Sequence, residues 1–172
     1  PHQLGAARKI LRDPIRRYLL ADEVGLGKSI EAGMVIRQLL LDQPGEILIL
    51  VPGSLVAQWK DEMATKFMLG DFRSRVSVHP HEDIMDLPTV PRLAVVVDEA
   101  HRLTSTTTQT EGDFHYERLR SISHAATALL LLSATPVRSN EDTFLRLLHL
   151  LDSDNYPLSD VESFRRRVRV RD

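Results

Sequence analysis

The chain has 172 residues, 42% hydrophobic and 27% charged, enough for one domain with a sizeable core and too few for two full ones. A net charge of −2 excludes a global electrostatic pull toward nucleic acid, so any such contact needs a local basic surface. With no cysteine there are no disulfides and no thiolate zinc site, and neither a signal peptide nor an apolar run of membrane-spanning length is visible. The chain starts at Pro1, not Met, and stops soon after a basic run, so it reads as a piece of a larger protein.

Pro1-His2-Gln3-Leu4 opens a helix that runs to about Leu11 and is ended by Pro14. A glutamine such as Gln3 can offer carbonyl and amide together to the N6/N7 edge of adenine. From the residues alone, a surface glutamine on a first turn is the simpler reading. Tyr18-Leu19-Leu20 is then a short apolar run. It leads through Ala21-Asp22-Glu23-Val24-Gly25-Leu26-Gly27-Lys28-Ser29 into a segment with helical spacing at Ile30, Met34, Ile36 and Leu40. Strand, glycine-rich loop and helix are the context of a phosphate-binding loop. Gly25 and Gly27 let backbone N–H groups curl toward an anion, and the helix N-terminus adds the positive end of its dipole. Lys28 can reach the β- and γ-phosphates, and the Ser29 hydroxyl can sit on Mg²⁺. The general pattern asks for Gly at its first position, where this chain has Asp22.

Glu46-Ile47-Leu48-Ile49-Leu50-Val51 reads as a strand buried on both faces, bounded by Pro44-Gly45 and Pro52-Gly53. Ser54 is the expected N-cap of the next helix. That helix carries Leu55, Trp59, Met63 and Phe67 on one face, which makes Trp59 a core residue rather than a base-stacking platform. Arg75-Val76-Ser77-Val78-His79 alternates like a strand, and Pro80, Pro88 and Pro91 mark loops. His79, His81, Glu82 and Asp83 raise the idea of a metal site, but no third ligand is evident, so a polar loop is the better reading.

Leu93-Ala94-Val95-Val96-Val97 is another buried strand and ends in Asp98-Glu99-Ala100-His101. Acidic residues at the carboxyl end of a parallel strand lie where open α/β sheets bind ligands. Asp98 can hold Mg²⁺ through water, and Glu99 can position or deprotonate an attacking water. Thr104 to Gly112 reads as a mobile loop, and Tyr116 to His124 as a helix with Leu119 and Ile122 inward. Ala128 to Leu132 forms a further strand ending in Ser133-Ala134-Thr135-Pro136, whose hydroxyls either reach toward Glu99 or the γ-phosphate region or cap a turn before Pro136. A helix follows from Asn140-Glu141-Asp142, with Phe144, Leu147, Leu148 and Leu151 on one buried face. The tail holds Arg165, Arg166, Arg167, Arg169 and Arg171, a solvated amphipathic terminus anchored by Phe164 and Val168.

Taken together, these stretches resemble the first ATPase lobe of superfamily-two helicase-like motors. The resemblance is closest to the SWI/SNF branch, which includes the bacterial RNA polymerase recycling ATPases, and it covers nearly the whole chain. Pro1-His2-Gln3-Leu4 looks like the branch's adenine-reading motif. Asp22 through Gly33 looks like its phosphate loop, which itself carries Asp at the first position. Val51-Pro52 through Gln58-Trp59 is similar to a motif that lies near the tracked nucleic acid. Asp98-Glu99-Ala100-His101 and Ser133-Ala134-Thr135-Pro136 are similar to motifs two and three. The family's second lobe, with its arginine fingers, is absent from the chain, and the interval from Trp59 to Asp98 is shorter than in the family.

The expected fold is one α/β domain, residues 1–172, in a RecA-like three-layer arrangement. Its mostly parallel sheet has strands near Arg17–Ala21, Glu46–Val51, Arg75–His79, Leu93–Val97 and Ala128–Ser133, with helices on both faces. The resemblance implies an ATP-driven, Mg²⁺-dependent translocase on double-stranded DNA, acting with a second lobe and on a protein cargo, away from any membrane. It implies cytoplasmic location in a bacterium, or a nuclear one. In that reading Asp22, Glu23, Val24, Gly25, Leu26, Gly27, Lys28 and Ser29 hold the nucleotide, and Gln3 selects adenine. Ser29 and Asp98 hold Mg²⁺, Glu99 and Lys28 serve catalysis, and His101, Ser133 and Thr135 couple hydrolysis to lobe closure. The alternatives are a strand-separating RNA or DNA helicase lobe, a restriction or phage-defence translocase subunit, and a non-enzymatic ATP switch.

Overall fold

The computed structural model describes residues 2–21, 27–105, 111–134 and 141–169. Five parallel strands form one sheet in the order β1-β5-β4-β2-β3. They are β1 (Arg17–Ala21), β2 (Ile47–Val51), β3 (Val76–Pro80), β4 (Arg92–Val97) and β5 (Ala126–Ser133). The helices are α1 (His2–Arg12), α2 (Lys28–Asp42), α3 (Val56–Thr65), α4 (His101–Thr104), α5 (Glu111–His124), α6 (Glu141–Leu151) and α7 (Val161–Arg169). Among the described residues no helix is long and apolar enough to cross a membrane.

Continuous apolar runs make β2 and β4, two of the three inner strands, and every residue of both is buried. Alternation within them divides the core. Ile47, Ile49, Val51, Ala94 and Val96 pack with Ala32, Val35, Ile36 and Leu39 of α2 and with Trp59 and Met63 of α3. Leu48, Leu50, Val95 and Val97 pack on the other face with Tyr116, Leu119 and Ile122 of α5 and Leu147 and Leu150 of α6. Each fully buried aliphatic side chain of this kind contributes about 1.5–3 kcal/mol. Register places Leu50 beside Val97, and Val97 beside Leu131, so the strands end nearly level.

Two glycines are fixed by geometry. Gly45 has φ +118° in the turn before β2, a conformation that side chains rarely adopt. A Cβ on Gly33 would lie 2.2 Å from the Phe67 ring, so only glycine lets α2 approach that ring.

Four local expectations are corrected. Ser54 is not an N-cap, because Gly53–Leu55 forms a 3₁₀ turn and α3 begins at Val56 with no side-chain cap bond. Of the expected α6 face, Phe144, Leu147, Leu148 and Leu151, only Leu147 is buried; the other buried residues are Thr143, Leu145, His149 and Leu150. The reason is that α6 contacts α4, α5, α7 and β1 together, so more than one stripe is covered. The stretch read as a loop from Thr104 to Gly112 is narrower at both ends, since fully buried Thr104 closes α4 and α5 starts at Glu111, and its middle, 106–110, lies outside the described residues. After β3, residues His81–Met85 form a 3₁₀ turn with His81 and Ile84 buried, not an exposed polar loop.

Candidate nucleotide site

The chain leaves β4 through Asp98, whose N–H still donates to Leu50 O of β2 at 2.8 Å. Continuing the alternation, the Asp98 side chain lies on the face shared by α2 and α3. Its Oδ2 accepts from Trp59 Nε1 at 2.9 Å, and its Oδ1 accepts from the Glu99 N–H at 2.9 Å. His81 Nε2 donates to the Asp98 carbonyl at 2.8 Å. A carbonyl only accepts, so Nε2 carries the proton. Burial is the main influence on His81 and lowers its pKa, which keeps the ring neutral.

Glu99 takes a left-handed backbone, φ 49°, which costs a non-glycine residue about 1–2 kcal/mol. Such strain collects at functional sites. Here it turns the chain sharply from strand to α4 and leaves the Glu99 carboxylate 28% exposed, with Oε2 3.4 Å from His101 Nε2. The other ring nitrogen of His101, Nδ1, is 3.0 Å from Ser133 Oγ at the end of β5. Burial lowers the pKa of His101 more than Glu99 raises it. A neutral ring with its proton on Nε2 faces Glu99 and accepts from the Ser133 hydroxyl on Nδ1. Glu99, His101 and Ser133 thus form one polar chain across two strand ends.

Lys28 is the first residue of α2 and is 93% buried, at 7% exposure. Its charge acts on His101 together with those of Glu99, Asp98 and Arg102. So Lys28, Asp98, Glu99, His101 and Ser133 share the carboxyl edge of the sheet. Ser29 follows in the same first turn and is half-buried. Gln3 lies in the first turn of α1, and its side chain is outside the described residues, as are Asp22, Glu23, Val24, Gly25, Leu26 and Thr135. Gly27 precedes α2 at φ −112°.

The histidine pair read as a possible metal site splits. His79 Nδ1 is 3.3 Å from Asp83 Oδ2, whereas His81 turns to Asp98. Among the described residues no three His, Cys, Asp or Glu side chains group to hold a metal. A cavity of about 340 Å³ between α3 and β3, lined by Lys60, Met63, Arg73 and Val78, contains none of the site groups. Two contacts escaped the sequence reading, Trp59 to Asp98 and His81 to Asp98. Helical spacing marks Trp59 only as inward, and nothing local marks His81.

Residues 9–89 match the family described as SNF2-related domain. RNA polymerase-associated protein RapA of Pseudomonas aeruginosa is 36% identical over 190 residues, covering 96% of this chain and 20% of that protein. Over residues 9–89 the chain carries an SNF2-related domain. An uncharacterized ATP-dependent helicase, YqhH of Bacillus subtilis, is 33% identical over 169 residues, covering 88% of this chain and 29% of that protein. The chain therefore spans between 20% and 29% of the length of these curated relatives. The Sulfolobus solfataricus SWI2/SNF2 ATPase core, solved in complex with dsDNA, superposes with a TM-score of 0.74 at 18% identity, covering 95% of this chain and 38% of that one. The fold of this SNF2-related domain is thus the RecA-like one, an α/β sheet whose carboxyl edge carries the candidate site.

Proposed function

We propose that residues 1–172 are the first ATP-binding lobe of a motor that uses Mg²⁺ to hydrolyse ATP to ADP and phosphate while moving along double-stranded DNA. The observation that carries this reading is the buried Lys28 at the start of α2, on the same carboxyl edge of the sheet as Asp98 and the Glu99–His101–Ser133 chain. A cation and paired carboxylates at one strand edge are what phosphoryl transfer needs.

The residues present fit the nucleotide and the metal. Lys28 and the N-terminus of the 15-residue α2 suit a phosphate. Asp98 is held by two N–H donors and keeps further lone pairs, a hard oxygen group suited to Mg²⁺. Ser29 and Asp98 would hold the metal, Asp98 through water. When bound, such an ion neutralises charge on the β- and γ-phosphate oxygens. Glu99 orients the attacking water, with His101 restraining its carboxylate. Asp22 to Gly27 wrap the phosphates, and Gln3 reads adenine. Ser133 and Thr135, through His101, pass the state of the γ-phosphate to the lobe interface.

An arginine finger from a second lobe contributes about 10³–10⁵ in rate, so this lobe by itself binds ATP weakly and turns it over very slowly. The DNA-bound Sulfolobus neighbour supports duplex DNA as the track, and the RapA relatives support a DNA-bound protein cargo. The helicase named among the relatives favours strand separation as the second reading. Lys28→Ala is expected to abolish binding in a fluorescent-nucleotide titration while circular dichroism stays native. Unchanged affinity refutes the site.

A further inference from the structure

We infer that Trp59 and His81 are positioning residues that lock Asp98 in the orientation a metal-bound nucleotide requires, so that the chain's single tryptophan reports on this site. The inference rests on the proposed function and goes beyond it in assigning two residues that act through Asp98.

Trp59 is 2% exposed and sits in the core beneath α3. Packing alone would be served by any large apolar side chain. An indole N–H is a donor only, and when buried it needs an acceptor. Here the acceptor is a carboxylate oxygen, Asp98 Oδ2 at 2.9 Å, and a bond to a charged acceptor is stronger than one to a neutral carbonyl. The Glu99 N–H holds the other oxygen at 2.9 Å. With one donor on each oxygen, the carboxylate plane is fixed, and lone pairs on both oxygens stay open.

His81 restrains the same residue from behind. It stands on the 3₁₀ turn after β3, beside Ile84 of the opposite core cluster, and donates to the Asp98 carbonyl at 2.8 Å. Asp98 has just left β4, where ladder bonds would otherwise hold its carbonyl. The Trp59 bond fixes the side chain and the His81 bond fixes the backbone that carries it. They come from different elements, α3 and the β3 turn, on opposite faces of the sheet. Carboxylates that serve a metal depend on such outer partners, whose loss weakens metal affinity by about 10–100-fold.

The test is a Mg²⁺ titration of ADP binding by this chain and its variants. Trp59→Phe keeps an aromatic side chain and loses the donor. It is expected to leave metal-free ADP affinity unchanged and to weaken Mg²⁺-supported binding by about tenfold. His81→Leu is expected to do the same, and His81→Gln, which keeps an N–H donor, to recover most of the loss. A second measurement needs no core substitution. The one indole N–H resonance in the proton–nitrogen spectrum should shift when Mg²⁺ is added to the ADP-bound chain and move upfield in Asp98→Asn. Equal Mg²⁺ dependence in Trp59→Phe and the unaltered chain, or an indole resonance indifferent to both changes, overturns the inference alone. Absence of any nucleotide binding by the unaltered chain overturns the proposed function and this inference together.

Discussion

The two edges of the sheet use buried charge in opposite ways. At the amino edge, arginines at or just before strand starts serve main-chain carbonyls. Arg17 donates to Leu151 O, Ala126 O, Ser123 O and Leu150 O, joining the C-terminal ends of α5 and α6 to the start of β5. Arg75 donates to Gly45 O and Leu40 O, closing the last turn of α2. Arg92 donates to Pro88 O. At the carboxyl edge stand Lys28, Asp98 and Glu99, where the two carboxylates meet an indole N–H, a main-chain N–H and the His101 ring. The parallel α/β layout explains the division. It puts the C-terminal, negative ends of helices at the amino edge and their N-terminal, positive ends at the carboxyl edge. Arginines are drawn to the first, and an anionic ligand to the second. At the amino edge the charged groups bond to the chain's own carbonyls, whereas at the carboxyl edge the carboxylates of Asp98 and Glu99 keep lone pairs for a ligand.

Substitutions at the two edges should therefore separate function from stability. The largest expected effect is at the carboxyl edge. In a longer protein that includes the second lobe, Glu99→Gln is expected to retain ATP affinity and lose about 10²–10⁴-fold in turnover, the usual contribution of a positioned base. Steady-state hydrolysis measured with duplex DNA, single-stranded DNA and RNA checks this, with duplex DNA expected to give the greatest stimulation. Melting temperature should not fall, because the substitution also removes a strained residue's charge without opening a cavity. Full activity would remove Glu99 from its role.

Arg17→Leu is the matching change at the amino edge and comes second in size. Leaving the carbonyls of Ser123, Leu150 and Leu151 without their donor is expected to cost about 2–3 kcal/mol. Denaturant midpoints read that loss. Nucleotide affinity of the folded fraction should stay as it was, since Arg17 lies a strand's length from Lys28. A variant that keeps its stability but loses nucleotide affinity would break the distinction between the edges.

How much of this was legible in the sequence follows from range. The strands β2 and β4 were legible because burial on both faces leaves an unbroken apolar run. The candidate site groups were legible because Asp98, Glu99 and Ser133 sit at the ends of such runs, where strand pattern stops and polar residues begin, and Lys28 opens the helix after a glycine-rich loop. What was not legible depends on partners far apart in the chain. Arg17 read as the start of a strand, and its acceptors lie beyond residue 120. Trp59 read as core, which its burial bears out, but the Asp98 bond spans 39 positions. The α6 stripe was legible only in part, at Leu147, for the same reason, since α7 and α4 cover positions that a lone amphipathic helix would expose.

The smallest expected effect probes the amino edge by pH. His124 ends α5 and stacks at a tilt against His149, ring centroids 6.4 Å apart. Burial chiefly lowers its pKa below the ordinary 6.5, and the nearby Arg17, Arg120 and His149 lower it further, opposed only by Glu117. The unfolded chain therefore binds a proton at His124 at a pH where the folded chain does not. Stability from this group is fully present above 6.5, falls as pH drops through 6.5, and levels off below the depressed folded value. His124→Asn should flatten that part of the urea-midpoint profile while sparing nucleotide binding, with a change smaller than that of Arg17→Leu. A profile equally steep in the variant would mean that the histidines of the carboxyl edge, His81 and His101, whose pKa values burial also lowers, carry the whole dependence. The amino edge would then be held by its arginines alone.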